Sequence, residues 1–169
     1  MNQQTLREVQ APLKARYREE PGAALITLSA EGTLDSMDVV CSVSTGQALV
    51  KAGLHPATGG DGSLACSGDL LLQALVACAG VTLRAVATSM DIPVAGSVRA
   101  EGDLDFRGTL GVDKQAPVGF QAIRLIFELD SAAPQDQMEK LLQLTERYCV
   151  VYQTLGNGAA MTTVVHRAE

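Results

Sequence analysis

An apolar stretch at the centre of the chain constrains the fold more than any other part of the sequence. Residues 70–87 read LLLQALVACAGVTLRAVA, a run broken by Gln73 and Arg84. This composition predicts a helix over residues 68–90 that is apolar on every side. Such a helix must be covered all round, and one domain of this size has difficulty covering it alone. The stretch therefore indicates a helix inside a large core or between two subunits.

Size and charge narrow the class of protein. The chain has 169 residues, of which 47 % are hydrophobic and 19 % are charged, which predicts one globular domain with its own core. Its net charge is -6 and no basic run occurs, so nucleic acid is not expected as a partner. The interrupted apolar run predicts no membrane span. The polar N-terminus predicts no signal peptide, and we expect a cytoplasmic protein.

The order of predicted elements indicates an α+β protein with largely antiparallel sheet. Strands occur in groups separated by helices rather than in strict alternation with them. The sequence predicts helices over 3–19, 68–90 and 133–149, and strands within 24–32, 37–46, 47–54, 94–106, 119–130 and 159–169. Pro12 predicts a kink or two short helices in the first of these, and Gly156 with Asn157-Gly158 predicts a stop and turn.

The four cysteines match no common metal pattern. They are Cys41, Cys66, Cys78 and Cys149; no CxxC occurs, and their separations fit no zinc site. A reducing compartment argues against structural disulfides. Cys41, in a predicted strand, is expected in the core. Cys66 precedes the central helix and is expected to have no role, the alternative being an accessory thiol at an entrance.

Cys78 and Cys149 stand apart from the other two. Cys78 is in the middle of the apolar helix, and Cys149 follows helical spacing on the inward face of the helix over 133–149, with Met138, Leu141 and Tyr148. Peroxide reduction uses such a pair, because one thiolate becomes a sulfenic acid and a second thiol condenses with it to a disulfide. The spacing leaves open whether the two sulfurs meet. The histidines, His55 and His166, pair with no obvious cysteine, and His166 is expected to be structural.

Both cysteine contexts together resemble a known family. The segments SGDLLLQALVACAGVTLRA and TERYCVVYQTL are similar to those of the OsmC/Ohr family of thiol-dependent organic hydroperoxide reductases. The resemblance covers residues 22–168. It implies a helical extension over 1–21 followed by an OsmC-like domain over 22–169. It also implies antiparallel sheets wrapped around central helices in an intertwined homodimer, which would cover the apolar helix.

The resemblance also implies roles for three residues. Cys78 is similar to the cysteine that attacks the peroxide and Cys149 to the one that resolves the sulfenic acid. Asp69 stands where the family usually has a glutamate, which an arginine pairs with to stabilise the thiolate. Asp69 also fits a second interpretation, a first-turn carboxylate at a helix start. Because apolar surroundings raise the pKa of a thiol, we expect a cation near Cys78. The candidates are Arg16, Arg18, Arg84 and Arg147.

These observations favour an enzyme. The predicted function is reduction of organic hydroperoxides to alcohols through a disulfide cycle of Cys78 and Cys149, with no bound metal or cofactor, because sulfur carries the electrons. The family resemblance implies regeneration by an external dithiol, such as a lipoyl-linked one. An alternative is a non-catalytic OsmC-like module that binds an apolar small molecule. A third hypothesis makes every cysteine a core residue.

Overall fold

The structure is a computed structural model that describes residues 2–20, 31–34, 40–44, 49–111 and 113–167. Its helices are α1 (Gln3–Glu19), α2 (Ser67–Met90), α3 (Phe106–Thr109), α4 (Gln135–Tyr148) and α5 (Val150–Asn157). Its strands are β1 (Glu31–Leu34), β2 (Val40–Ser44), β3 (Leu49–Gly53), β4 (Ala65–Cys66), β5 (Ala95–Leu104) and β6 (Phe120–Asp130). The predicted α+β class is confirmed.

The strands form two sheets among the described residues. One has the order β1-β2-β3-β4, in which the first two pairings are antiparallel and β3 pairs with β4 in parallel. The other is the antiparallel pair of β5 and β6. Its side chains alternate between two faces, as the period of two requires. Apolar residues such as Val98 and Leu125 pack toward the buried cluster around Cys149, and charged residues such as Arg124 lie on the exposed face.

Helix α2 is buried along one stripe only. The stripe has helical spacing and consists of Leu75, Ala79, Leu83, Val86 and Ala87. The rest of α2 is less covered, and Val81 is 72 % exposed. The described part of one chain therefore does not cover the helix on every side, and its coverage by a second subunit stays a prediction. Helices α1, α4 and α5 and strand β5 all pack against α2 among the residues described, and Val81, at the groove between α1, α2 and α4, stays largely exposed.

The length of α2 also bears on the membrane prediction. The helix has 24 residues, and an 18-residue window of it has a mean hydropathy of 1.9, so it is long and apolar enough to cross a bilayer by length and composition alone. Length and composition alone therefore do not support the prediction of no membrane span. One such helix is weak evidence for a span, because the core helix of a soluble protein has the same properties.

Two buried clusters lie along α2. The first joins the C-terminal half of α2 to α4 through residues that include Leu83, Val86 and Leu141. The second, around Leu75, Ala79 and Cys149, joins the middle of α2 to the junction of α4 and α5 and to the β5–β6 pair. The second cluster positions the thiols described below.

The N-terminal part of the chain forms a single helix. Helix α1 runs without interruption through Pro12, so the two-helix alternative is wrong. A proline inside a helix removes one hydrogen bond, and the remaining turns continue on both sides. The side chain of Gln3 ties α1 to α2 by donating to the carbonyl of Ser89 at 2.9 Å. The boundary between an extension and a domain near residue 21 falls outside the described residues and stays a prediction.

The C-terminal part differs most from the prediction. Residues 150–157 form α5, and residues 159–167 are exposed with no strand, so the predicted last strand is wrong for the described residues. A strand needs a neighbouring edge to satisfy its backbone groups, and none is paired with this segment among the described strands. The predicted stop is confirmed, since α5 ends at Asn157 and Gly158 follows with φ of 65°.

Two smaller differences concern local structure and burial. The segment between the two predicted strands contains the short helix α3, which begins after Asp105, whose side chain accepts from the backbone N–H of Arg107. Tyr148 does not point inward as expected and is 58 % exposed. It is the last residue of α4, where the helix gives way to the extended backbone of Cys149.

Candidate active site

The junction of α4 and α5 positions Cys149. Its backbone is extended, with φ of -73° and ψ of 106°, and it separates the two helices. Its N–H donates to the carbonyl of Thr145 at 2.9 Å, and its carbonyl accepts from the N–H of Gln153 at 2.9 Å. Cys149 is therefore held by the last turn of one helix and the first turn of the next. The sulfur lies in the buried cluster and is fully shielded from solvent.

The structure brings Cys78 and Cys149 together. Each thiol lies close enough to the other to shift its pKa, although the residues are far apart in sequence. Cys78 lies in the middle of α2 and is half-buried, and it packs against the cluster that contains Cys149. Both are free thiols. The pair thus has the proximity that a disulfide cycle requires.

Hydrogen bonds favour the thiolate of Cys78. Burial by itself raises the pKa of this thiol, but donors around the sulfur outweigh burial and the pKa lies below its ordinary value. In order of size, these donors are the backbone N–H of Val151, the Cys149 thiol, the backbone N–H of Val150 and the Thr82 side chain. The two backbone donors belong to the first turn of α5, where N–H groups have no partner inside the helix. The first turn of a helix also carries a partial positive charge, which favours a thiolate.

The pKa of Cys149 moves in the opposite direction. Burial raises it, the backbone N–H groups of Tyr152 and Val151 lower it, and the hydrogen bond and charge of Cys78 raise it further. The net effect places it above the ordinary thiol value. Cys78 is therefore the first of the two to lose its proton. This difference suits Cys78 to nucleophilic attack, while Cys149 remains a neutral thiol that can react in a later step.

Within the described part of one chain no cation is among the groups that shift the pKa of Cys78, and the expected cation stays a prediction. The groups that lower the pKa of Cys78 are hydrogen-bond donors without formal charge. Of the candidate arginines, Arg84 donates to the carbonyl of Val94 at 2.7 Å, and the guanidinium of Arg147 lies 5.7 Å from the centre of the Tyr148 ring. The side chains of Arg16 and Arg18 fall outside the described residues. Sequence reasoning missed the backbone donors, because α5 was not predicted.

Asp69 lies apart from the two thiols within one chain. It is an exposed residue in the first turn of α2, nine positions before Cys78. At 1.5 Å per residue this places it ~13 Å away along the helix axis and on the opposite side. The structure therefore agrees with the interpretation as a first-turn carboxylate. A catalytic role for Asp69 stays a prediction.

The cavity next to Asp69 is lined by His55 and Cys66, two residues that the sequence analysis considered. It has a volume of about 360 Å³ and is lined by residues that include His55, Cys66 and Phe106. The His55 ring stacks on Phe106 at 4.9 Å, and its Nδ1 accepts from the N–H of Ala57 at 3.0 Å. Cys66 lies at this cavity rather than beside Cys78. Among the residues described, no group of three or more His, Cys, Asp or Glu side chains could hold a metal ion.

The two remaining sequence predictions concern Cys41 and His166. Cys41 lies in β2, but its side chain falls outside the described residues. His166 lies in the exposed C-terminal segment rather than in a strand.

Two grooves reach the neighbourhood of the thiols. One, of about 330 Å³, is lined by Leu75, Ile123, Leu125 and Tyr152, which also pack in the cluster around Cys149. The other, of about 610 Å³, lies between α1, α2 and α4, and Thr82 forms part of its wall. Sequence reasoning did not single out Thr82, although its position one helical turn after Cys78 is a signal that could have found it.

Comparisons with known proteins agree with this arrangement. A crystal structure of an OsmC-like protein from Mycoplasma pneumoniae superposes with a TM-score of 0.64 at 18 % identity, covering 79 % of this chain and 89 % of that one. An organic hydroperoxide resistance protein OsmC from Legionella pneumophila gives 0.58 at 18 % identity, over 79 % and 92 % of the two chains. An organic hydroperoxide resistance protein from Elizabethkingia anophelis gives 0.56 at 17 % identity, over 79 % and 91 %.

At these identities the structural matches establish the fold. A search of curated proteins found no match to the sequence. The profile of the family described as OsmC-like protein matches residues 60–164, which include α2, both thiols and the β5–β6 pair. With more than half of its length matched, the chain belongs to the OsmC-like family.

Proposed function

We propose that the protein is a cysteine-based peroxidase that reduces organic hydroperoxides to alcohols through Cys78 and Cys149. Membership of the OsmC-like family supports a peroxidase-related role, and two structural neighbours are named organic hydroperoxide resistance proteins. The observation that carries the proposal is the packing of Cys78 against the cluster of Cys149, with the pKa of Cys78 lowered and that of Cys149 raised.

The proposed cycle begins with the Cys78 thiolate attacking the terminal oxygen of the hydroperoxide. The O–O bond breaks, the sulfur is oxidised by two electrons to a sulfenic acid, and the alkoxide takes a proton from water to become the alcohol. The Cys149 thiol then attacks the sulfenic sulfur. A disulfide forms, and the hydroxyl leaves as water with the proton of Cys149. An external dithiol, such as a lipoyl-linked one, restores both thiols by exchange and becomes a disulfide itself.

The residues around the thiols contribute to separate steps. The N–H groups of Val150 and Val151 hold the negative charge of Cys78 before attack. Burial and the neighbouring sulfur keep Cys149 protonated until the sulfenic acid has formed. The cycle needs no bound metal or cofactor, because the two sulfurs carry the electrons.

The groove beside the thiols supports an apolar substrate. Leu75, Ile123 and Leu125 line it together with Tyr152, and the same side chains surround Cys149. An alkyl group gains free energy by leaving water for such a surface, whereas hydrogen peroxide has no apolar part to bury. We therefore assign alkyl or fatty-acid hydroperoxides as the substrate class.

A homodimer is part of the proposal. The uncovered side of α2 carries exposed apolar residues such as Val81, and the C-terminal segment exposes Met161, Val164 and Val165. Apolar side chains clustered on a surface are typical of interfaces. A second copy of the chain would cover the face of α2 that α4 and α5 leave open. We propose that this dimer is cytoplasmic.

The test uses the full-length reduced protein and a small organic hydroperoxide, cumene hydroperoxide. We expect peptide mapping by mass spectrometry to find a Cys78–Cys149 disulfide and Cys78→Ser to abolish hydroperoxide consumption in a dithiol-coupled assay. In Cys149→Ala we expect a Cys78 sulfenic acid that dimedone traps. Cys66→Ser, at the separate cavity, is the matched control and should consume hydroperoxide at the wild-type rate.

Intact turnover in Cys78→Ser, or failure of the two cysteines to join in the wild-type protein, would contradict the proposal. Saturable binding of an apolar dye without any turnover would instead support the non-catalytic binding module. Thermal unfolding of each variant separates loss of chemistry from loss of fold, which matters most for the fully buried Cys149.

A further inference from the structure

Phe120, the first residue of β6, lies where two spaces in the molecule meet. Its side chain lines the groove of about 330 Å³ beside the cluster of Cys149, called here the thiol groove. It also lines the cavity of about 360 Å³ next to Asp69, called here the Asp69 cavity. Among the described residues, Phe120 is the one that the two linings have in common. Its ring therefore forms the wall between the thiol groove and the Asp69 cavity.

Two glycines make room for this ring. Gly102 lies on the neighbouring strand β5, and a Cβ atom at that position would overlap the ring of Phe120. Gly68 lies in the first turn of α2, where a Cβ atom would come to 3.4 Å from Cζ of Phe120. Glycine within a strand often marks such a close approach. The backbone of β5 and the start of α2 thus hold the ring from two sides.

Helix α2 runs past both spaces and shows their order relative to the thiols. Leu75, one turn before Cys78, lines the thiol groove. Gly68, two turns further toward the N-terminus, lines the Asp69 cavity. At a rise of 1.5 Å per residue, Gly68 lies ~15 Å from Cys78 along the helix axis. The order along α2 is therefore the thiols, the thiol groove, the Phe120 ring and the Asp69 cavity.

We propose that Phe120 sets the length of the alkyl chain that the protein accepts. An unbranched chain whose peroxide group lies at Cys78 extends along the thiol groove and ends at the Phe120 ring. The methylene groups of a longer chain stay in water and add nothing to binding, because the wall closes the Asp69 cavity to them. The inference rests on the proposed function, since it defines the substrate of the same site more narrowly.

The decisive variant is Phe120→Ala, which removes the ring and joins the thiol groove to the Asp69 cavity. The measurement is kcat/KM for unbranched primary alkyl hydroperoxides from butyl to dodecyl in the dithiol-coupled assay. In the wild-type protein, kcat/KM should stop rising with chain length within this series. In Phe120→Ala it should continue to rise, so that the dodecyl-to-butyl ratio increases about tenfold, chiefly through a lower KM for the long chains.

Binding of the corresponding 1-alkanols gives a second readout that needs no turnover. Their Kd is measured on the reduced protein by displacement of the apolar dye 1-anilinonaphthalene-8-sulfonate. In the wild-type protein the Kd should level off as the chain lengthens, and in Phe120→Ala it should continue to fall. Phe120→Leu should change both readouts in the same direction by a smaller amount, and it serves as the test if the alanine variant loses its fold.

Two further variants make the test specific. Phe106→Ala removes a phenyl ring that lines the Asp69 cavity and not the thiol groove, so it should keep the wild-type length limit. The double variant Phe120→Ala/Gly68→Leu fills the vacated space from the side of α2, because a side chain at Gly68 points toward the place of the ring. It should restore the length limit. Thermal unfolding of each variant checks that the fold is kept.

An unchanged length dependence in a folded Phe120→Ala variant would overturn the inference, as would an equal change in Phe106→Ala. A protein that binds alkanols with the expected length limit but consumes no hydroperoxide would contradict the proposed function and support the role of Phe120.

Discussion

At the scale of single residues, the two cysteines differ because their surroundings differ. Hydrogen-bond donors outweigh burial at Cys78, so its pKa falls, while burial and the neighbouring sulfur raise the pKa of Cys149. The residue type is the same in both positions, and the assignment of roles follows from the balance between burial and hydrogen-bond donors at each sulfur. The role of each cysteine therefore depends on the groups that pack around its sulfur, and its position in the sequence does not reveal that role.

The pH dependence of alkylation tests this difference directly. In the wild-type protein, Cys78 should become reactive as the pH rises through a midpoint below the ordinary thiol pKa, because only the thiolate reacts. Cys149 should react only at higher pH, since its pKa is raised. Alkylation of Cys149 at a lower pH than Cys78 would contradict the assignment of the attacking and resolving sulfurs.

At the scale of elements, α5 activates the site. Its first turn supplies two N–H groups to Cys78, and the junction that precedes it holds Cys149. Helix α5 has eight residues and begins with Val150 and Val151, whose β-branched side chains disfavour helix. The local helix propensity is consequently low and does not predict α5. In the folded chain, the packing of Val151 and Tyr152 in the cluster around Cys149 stabilises the helix.

Replacing Val150 by proline removes one of these donors with little effect on the helix. Val150 is the first helical residue, where proline is favoured, and the preceding Cys149 already has the extended backbone that a following proline requires. Its side chain is 70 % exposed. We expect Val150→Pro to raise the midpoint of Cys78 alkylation by up to about one unit.

The matched control is Val150→Ala, which removes most of the side chain and keeps the N–H group. Its alkylation profile should follow that of the wild type. An equal shift in the alanine and proline variants would mean that the side chain, and not the backbone donor, affects Cys78. Circular dichroism checks that α5 still forms.

At the scale of the whole molecule, the apolar surface of one chain indicates a partner. Helix α2 buries one stripe and leaves Val81 exposed, although apolar residues occupy most of its length. The C-terminal segment carries further exposed apolar side chains and lies outside both described sheets. A second copy of the chain would bury these surfaces and provide strand edges.

The mass in solution tests the dimer. We expect the wild-type protein to elute with twice the chain mass of 17.7 kDa in size exclusion with light scattering. Val81→Glu should shift the protein toward the monomer, because a carboxylate is costly to bury without a partner. Val118→Glu is the control, since Val118 is similarly exposed at 74 % but lies outside α2. A wild-type protein that elutes at the mass of one chain would contradict the dimer.

The sequence by itself determined the elements that have a clear period. The apolar run predicted α2, the helical spacing after Pro134 predicted α4, and two alternating segments predicted β5 and β6. The two cysteine contexts also identified the family. These inferences depend on residues that lie within a few positions of one another in the sequence. The spacing of apolar residues shows directly which of them share a face of a helix or strand.

Only the tertiary structure decided what surrounds each sulfur. The contact between Cys78 and Cys149 joins distant parts of the chain, and no local pattern encodes it. The same holds for the donors from α5, the placement of Asp69 beside a different cavity, and the unpaired C-terminal segment. The pKa of a thiol depends on every group packed around it, so the chemistry of the site emerges when the elements come together.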